Sequence, residues 1–137
     1  MNTDGIITLP SNHSVAETID RLAVIVTSKG LLVFARIDHA KNARDAGLEL
    51  RPMELLIFGH GKGGTPLMQD QPLSGLDLPL RALAWRDADG KVWLGYHAAA
   101  SLARQHQLGP KSAAAVAALD KALAALTAAA AGQNPPG

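Results

Sequence analysis

Three groups of residues have the types and spacings that chemistry needs. The first is IFGHGKGGTPLM, residues 57–68, where four glycines, a lysine and a histidine precede Thr-Pro. A phosphate-cradling P-loop reads G-x-x-x-x-G-K-[ST]. Gly59 and Gly64 keep that spacing, but the lysine is Lys62, on the wrong side of the last glycine to reach terminal phosphates from a helix start. A weaker version remains. With Thr65 as N-cap and Pro66 at N1, the free amides at Gly64 and Thr65 together with Lys62 would hold a phosphate or carboxylate. The plainer reading is a glycine turn with positive φ, followed by an ordinary Thr-Pro cap.

The second group is His39, His60 and His97, each at or just after the end of a strand-like run. Imidazoles, with Asp38 beside one of them, would suit a divalent transition metal. No pair has the four-residue spacing of a helical ligand pair and no H-x-H occurs, so no metal site is expected and these three are the weak alternative. His13 and His106 read as surface residues. The third group is Asp38-His39, an acid–base pair with Glu49, Glu54 or Tyr96 as partners. Asp38 is equally well explained as the cap of a short helix. The hydroxyl candidates Ser74, Thr65 and Ser101 sit in no nucleophile elbow. No catalytic constellation is complete, so whether the chain is an enzyme stays open and no cofactor is named.

The elements that position these groups follow from periodicity and punctuation. GIITL, residues 5–9, is a first strand, at an edge because Pro10 ends it. Ser14 and Glu17 form a capping box for a helix running to Lys29 and stopped by Gly30, with Val15, Ile19, Leu22 and Val26 on one face. Strands follow at 31–37 and 53–58, separated by a short helix that Asp38 caps. The runs 78–86 and 91–96 flank Asp87-Ala88-Asp89-Gly90, the strongest hairpin signal in the chain. Two helices close it, 98–107 and an Ala-rich one at 112–131 whose Val116, Leu119, Leu123 and Leu126 form a narrow seam expected to pack on the sheet. Met53 and Met68 read as core fillers.

The expectation is therefore a single α+β domain over residues 1–131 with a disordered tail at 132–137. Its fold is a five-stranded antiparallel sheet with helices mainly on one face, in the order β-α-β-β-β-β-α with short helical insertions. Trp93 and its neighbours leave the other sheet face apolar, which points to a second subunit.

Composition limits the function classes. The chain has 137 residues, 47% hydrophobic and 18% charged, as a globular domain does. Lys plus Arg is 13 against 12 for Asp plus Glu, a net +1 that offers no electrostatic reason to expect nucleic acid. With no cysteine, disulfides, thiolate catalysis and thiolate metal sites are excluded. No secretory signal is read at the N-terminus, and the Ala-rich stretch is read as too interrupted by Asp120, Lys121 and Thr127 to span a bilayer. A soluble cytoplasmic protein with neither nucleic-acid nor membrane partners is expected.

The combination of Ile37-Asp38-His39, Gly64-Thr65-Pro66-Leu67-Met68 and Leu78-Pro79-Leu80, with Asp89-Gly90-Lys91-Val92-Trp93 following, resembles the bacterial family catalogued as domain of unknown function 302. The similarity covers roughly residues 14–131. It implies a fold like that of the TATA-box-binding protein and a homodimer, and it marks His39 and the Gly64–Met68 segment as motif positions. It implies no reaction. Gly59-His60-Gly61-Lys62 departs from the Gly-Asn-Pro-Lys more usual in that family, so His60 is no motif residue. The expected function is non-enzymatic binding of a small ligand, an anion among the candidates, by a homodimer using Asp38, His39, Lys62, Gly64, Thr65 and Tyr96. A metal-assisted or acid–base enzyme using Asp38 and His39, and a structural interaction module, are the alternatives.

Overall fold

The computed structural model describes residues 5–133. Its elements are β1 (Ile6–Ser11), α1 (Val15–Ser28), β2 (Leu32–Asp38), α2 (His39–Asp45), β3 (Met53–Gly59), α3 (Gly61–Asp70), β4 (Leu80–Arg86), β5 (Val92–His97), α4 (Ala99–Gln105) and α5 (Ala113–Ala131). Short 3-10 segments at Pro72–Asp77 and Pro110–Ser112 precede β4 and α5.

Local signals build most of this. The Ser14 hydroxyl accepts the Glu17 amide at 3.1 Å and starts α1, and Gly30 at φ 80° stops it. The Glu17 carboxylate does not reach back to the cap, as a complete box requires. It lies 3.5 Å from His13 Nδ1 instead. Between β4 and β5 the Asp87 carboxylate accepts the amides of Asp89 and Lys91 and the Trp93 indole N–H, each at 2.9 Å, so one side chain closes the hairpin loop. The Lys91 ammonium lies 4.4 Å from the Trp93 ring centroid.

The five strands form an antiparallel sheet in the order β1-β5-β4-β3-β2. The first two strands of the chain are thus its two opposite edges, and α1 crosses between them. On the covered face Leu56, Phe58, Ala82, Ala84 and Leu94 meet Ile19, Leu22 and Val26 of α1 and Leu123 and Leu126 of α5. The α5 seam divides. Leu123 and Leu126 pack on the sheet as expected, whereas Val116 joins Leu67 of α3 and Ala99 of α4 in a second cluster, with Leu119 touching both. The narrow seam serves two neighbours because α5 outruns the sheet beneath it.

Residues alternate across a strand, so Leu55, Ile57, Leu83, Trp85 and Gly95 face the other way. Neither core cluster of the described residues includes any of them.

Two readings of the apolar stretches change. Pro110–Ala131 is long and apolar enough, by length and composition, to cross a membrane, despite its polar interruptions. Two of those polar groups, Asp120 and Thr127, have internal partners. Asp120 accepts the Ala99 and Ala100 amides at 2.5 and 3.0 Å, and Thr127 donates to the Leu123 carbonyl at 2.7 Å. Met68 is 37% exposed, so it is a rim residue of α3 rather than a core filler. The expected tail lies outside the described residues from 134 onward. Gly132 is the left-handed cap of α5, and the Gln133 side-chain amide donates to the Pro10 carbonyl at 3.0 Å.

Candidate functional site

The glycine-rich stretch is a helix. α3 begins at Gly61, five residues before the expected start at Pro66, and its N-cap is His60, whose Nδ1 accepts the Lys62 amide at 3.1 Å. Thr65 and Pro66 therefore lie in the helix interior, and the free amides expected at Thr65 do not exist. Pro66 removes the donor for the Lys62 carbonyl, which the exposed position of Lys62 leaves to water. Gly59, just before the helix, has positive φ at 156°, as expected of a glycine turn, whereas Gly63 inside the helix serves packing. A Cβ on Gly63 would stand 3.1 Å from Leu119 Cδ2, so the missing side chain lets α3 lie against α5. Propensity misleads here because this close approach favours glycine where helix preference does not.

The expected site residues lie in three places. Asp38 and His39 are at the end of β2 where Asp38 pairs with Glu54, whereas Gly59, leading to Lys62, Gly64 and Thr65, pairs with Leu32 at the other end. Five residues of strand separate the two ends, about 17 Å. Tyr96 is on β5, three strands from β2, or about 14 Å across the sheet. Its side chain is buried toward the helices, and that burial raises its phenol pKa. Asp38 does cap α2, accepting the Lys41 amide at 2.9 Å. The histidines are no closer together. His60 caps α3, His97 is exposed on β5, and His39 is at the far end of the sheet. Among the described residues no group of three or more His, Asp or Glu side chains is placed to hold a metal ion.

His106 is not a surface residue. Its side chain is 9% exposed and its Nε2 lies 2.6 Å from Asp77 Oδ2. Ser74, one of the hydroxyl candidates, is buried with its Oγ unpartnered.

A concavity does form around one expected residue. A hollow of about 310 Å³ opens at the Asp38 end of the sheet, between the start of α1, α2, the loop before β3, and the β4–β5 hairpin. Its charged lining is Asp38, Glu54, Arg44 and Arg86. Glu54 is already matched, because Arg36 Nε donates to it at 2.7 Å while the same guanidinium reaches Asp20 at 2.6 Å. The two carboxylates, Glu54 first, raise the Arg36 pKa against its partial desolvation. Arg44 and Arg86 make no ion pair among the described residues. Neither arginine was a sequence candidate. They are distant in sequence, and the register that places the end of β4 beside α2 has no local signature.

On the open sheet face a second concavity of about 410 Å³ is lined by Ile6, Leu55, Leu83 and Trp85, with Arg81 and His97 at one end. Trp85 lies over Gly95, where a Cβ would be 3.0 Å from the indole.

Comparison with known proteins adds the following. The family described as domain of unknown function DUF302 matches residues 7–126. A crystal structure of an uncharacterized conserved protein DUF302 from Bacillus stearothermophilus superposes with a TM-score of 0.80 at 21% identity, over 91% of this chain and 97% of that one. Two curated relatives, each named fluoride-specific ion channel FluC 1, come from Brucella suis and Brucella abortus. Both are 53% identical over 115 residues, covering 84% of this chain. The chain spans only 45% and 43% of their lengths.

Proposed function

The chain belongs to the DUF302 family, and from that premise we propose that it acts without catalysis, as a homodimer that binds a small ligand. The observation that carries the dimer is the open sheet face. Leu55, Ile57, Leu83 and Trp85 lie on it, and no core cluster of the described residues takes them up. Five strands at ~4.8 Å, each ~20 Å long, present roughly 450 Å² of flat sheet, and side-chain relief adds to that. Two such faces would bury about 1,000 Å², the lower end for a specific interface. A second copy is the favoured occupant because the patch is mostly apolar, with its polar side chains, Arg81 and His97, at one end. A two-fold axis would set apolar surface on apolar surface.

The same reading accounts for the longer Brucella relatives. Both outer strands of this sheet leave one row of backbone N–H and C=O groups unpaired. An open-edged sheet is not viable in hydrocarbon. Conduction of fluoride, which those relatives' names state, would then belong to the rest of their length, and a domain like this one would associate their subunits or sense a ligand.

Light scattering of the purified chain at micromolar concentration tests the dimer. A mass of two chains is expected, falling to one for Leu83→Arg with the circular dichroism unchanged. A single-chain mass for the unaltered protein would remove the homodimer.

A further inference from the structure

We propose that the hollow beside α2 is a binding site for a small organic acid: one carboxylate on a short apolar body. The inference rests on the ligand-binding half of the reading above and is independent of the dimer.

Size comes first. At about 310 Å³ the hollow is at the small end of ligand sites. Its wall is apolar, made by Ala40, Leu50, Pro52 and Val92, and Leu50 is left 43% exposed at the rim. An inorganic ion would leave that wall in water, whereas a short hydrocarbon would cover it.

Charge selects the head group. Glu54 already accepts from Arg36, whose single charge is divided between Glu54 and Asp20. Asp38 gives one oxygen to the α2 amide and lines the same space. Arg44 and Arg86 add two positive charges that no carboxylate pairs, Asp45 being taken by Lys41 at 2.9 Å. The lining carries two carboxylates and two arginines, but both carboxylates already accept hydrogen bonds, from Arg36 and from the Lys41 amide, whereas the two guanidiniums have no partner among the described residues and are free to take an added carboxylate. The planar guanidinium matches the two oxygens of a carboxylate. A bare halide would use neither that fork nor the apolar wall.

The test is a titration of the isotopically labelled full chain, followed by its amide resonances, with sodium hexanoate, 1-hexanol and sodium fluoride. For eight heavy atoms a Kd on the order of 1 mM is expected. Hexanoate should move the Ala16, Ala40 and Val92 amides saturably, and 1-hexanol at the same concentration should not. Arg86→Ala should weaken hexanoate at least tenfold, and Arg86→Lys, which keeps the charge but loses the fork, should weaken it less. Both variants must keep the dispersed wild-type spectrum, and Arg44→Ala serves in the same role if one does not. Equal shifts with 1-hexanol, or hexanoate binding indifferent to both arginines, would overturn the organic-acid site. Saturable fluoride shifts without a hexanoate response would overturn it too, yet leave small-ligand binding standing. If none of the three probes moves an amide around the hollow, the site and the binding half of the function fall together, while the light-scattering mass still judges the dimer.

Discussion

Asp120 provides for α4 what the residues before that helix lack. Ala98 stands at the N-cap position and has no side chain to accept a hydrogen bond, so α5 lends a carboxylate to the first two amides. Asp120→Ala should strand both donors in a half-buried place and cost about 1–3 kcal/mol, read as a lower urea midpoint. Asp120→Asn keeps an acceptor and should cost less. At this scale the sequence was legible wherever the partner lay within a few residues. Ser14, Asp38 and the Asp87 loop were all readable as caps or turns, and the structure has them so. Asp120 and His106 were not, because Ala99 and Asp77, their partners, are more than 20 residues away.

α3 is the element whose composition most misrepresents its shape. Its glycines differ in what surrounds them, and that difference is measurable. A Cβ at Gly64 would meet Leu78 at 3.6 Å, ordinary contact. Gly64→Ala should therefore add helix preference without strain and stabilise by about 0.5–1 kcal/mol. Gly63→Val should force Leu119 aside and destabilise by about 1–3 kcal/mol. If both changes moved the thermal midpoint in the same direction, the packing role assigned to Gly63 would be wrong. The far end of α3 is tied to α5 through Asp70, which accepts from the Ser112 hydroxyl at 2.8 Å and the Gly109 amide at 3.0 Å. These bonds, Ser112 first, hold its carboxyl below the ordinary value of 3.8. The unfolded chain then takes up this proton at a higher pH than the folded one. The tie is at full strength above about 3.8 and fades as pH falls below it toward the depressed folded value. Ser112→Ala should lower the melting temperature most at neutral pH and converge with the unaltered protein as pH falls below about 3.8, which flattens the acid limb of the profile. Elements were readable from periodicity, yet a run of glycines looks alike whether it turns or packs, and only the neighbour decides.

For the whole molecule, the α+β class, the element order and the one-sided layering were all foreseeable, because each strand and helix carried its own pattern. The site was not. Asp38, Thr65 and Tyr96 are each on an element the sequence identified, but their separation depends on register and strand order, which pattern does not encode. The Brucella comparison gives the open face a further test. In a chain where this domain is joined to another, Leu83→Arg should dissociate the domains without unfolding them, observable as loss of crosslinking between copies with the circular dichroism spectrum unchanged. Loss of the fold along with the crosslink would instead make the face part of the core.

The strand order has a consequence in time. β1 pairs with β5, Ile6 opposite His97, so the first strand to be synthesised has its sheet partner some ninety residues later. Until β5 emerges, Ile6–Ser11 has no sheet partner and α1 has only part of the sheet to lie on. The hairpin of β4 and β5 can close at once, whereas docking β1 closes a loop of some ninety residues, the slow kind of step in folding. A nascent chain halted before Val92 should leave β1 unpaired and open to proteolysis, and release of the next few residues should protect it.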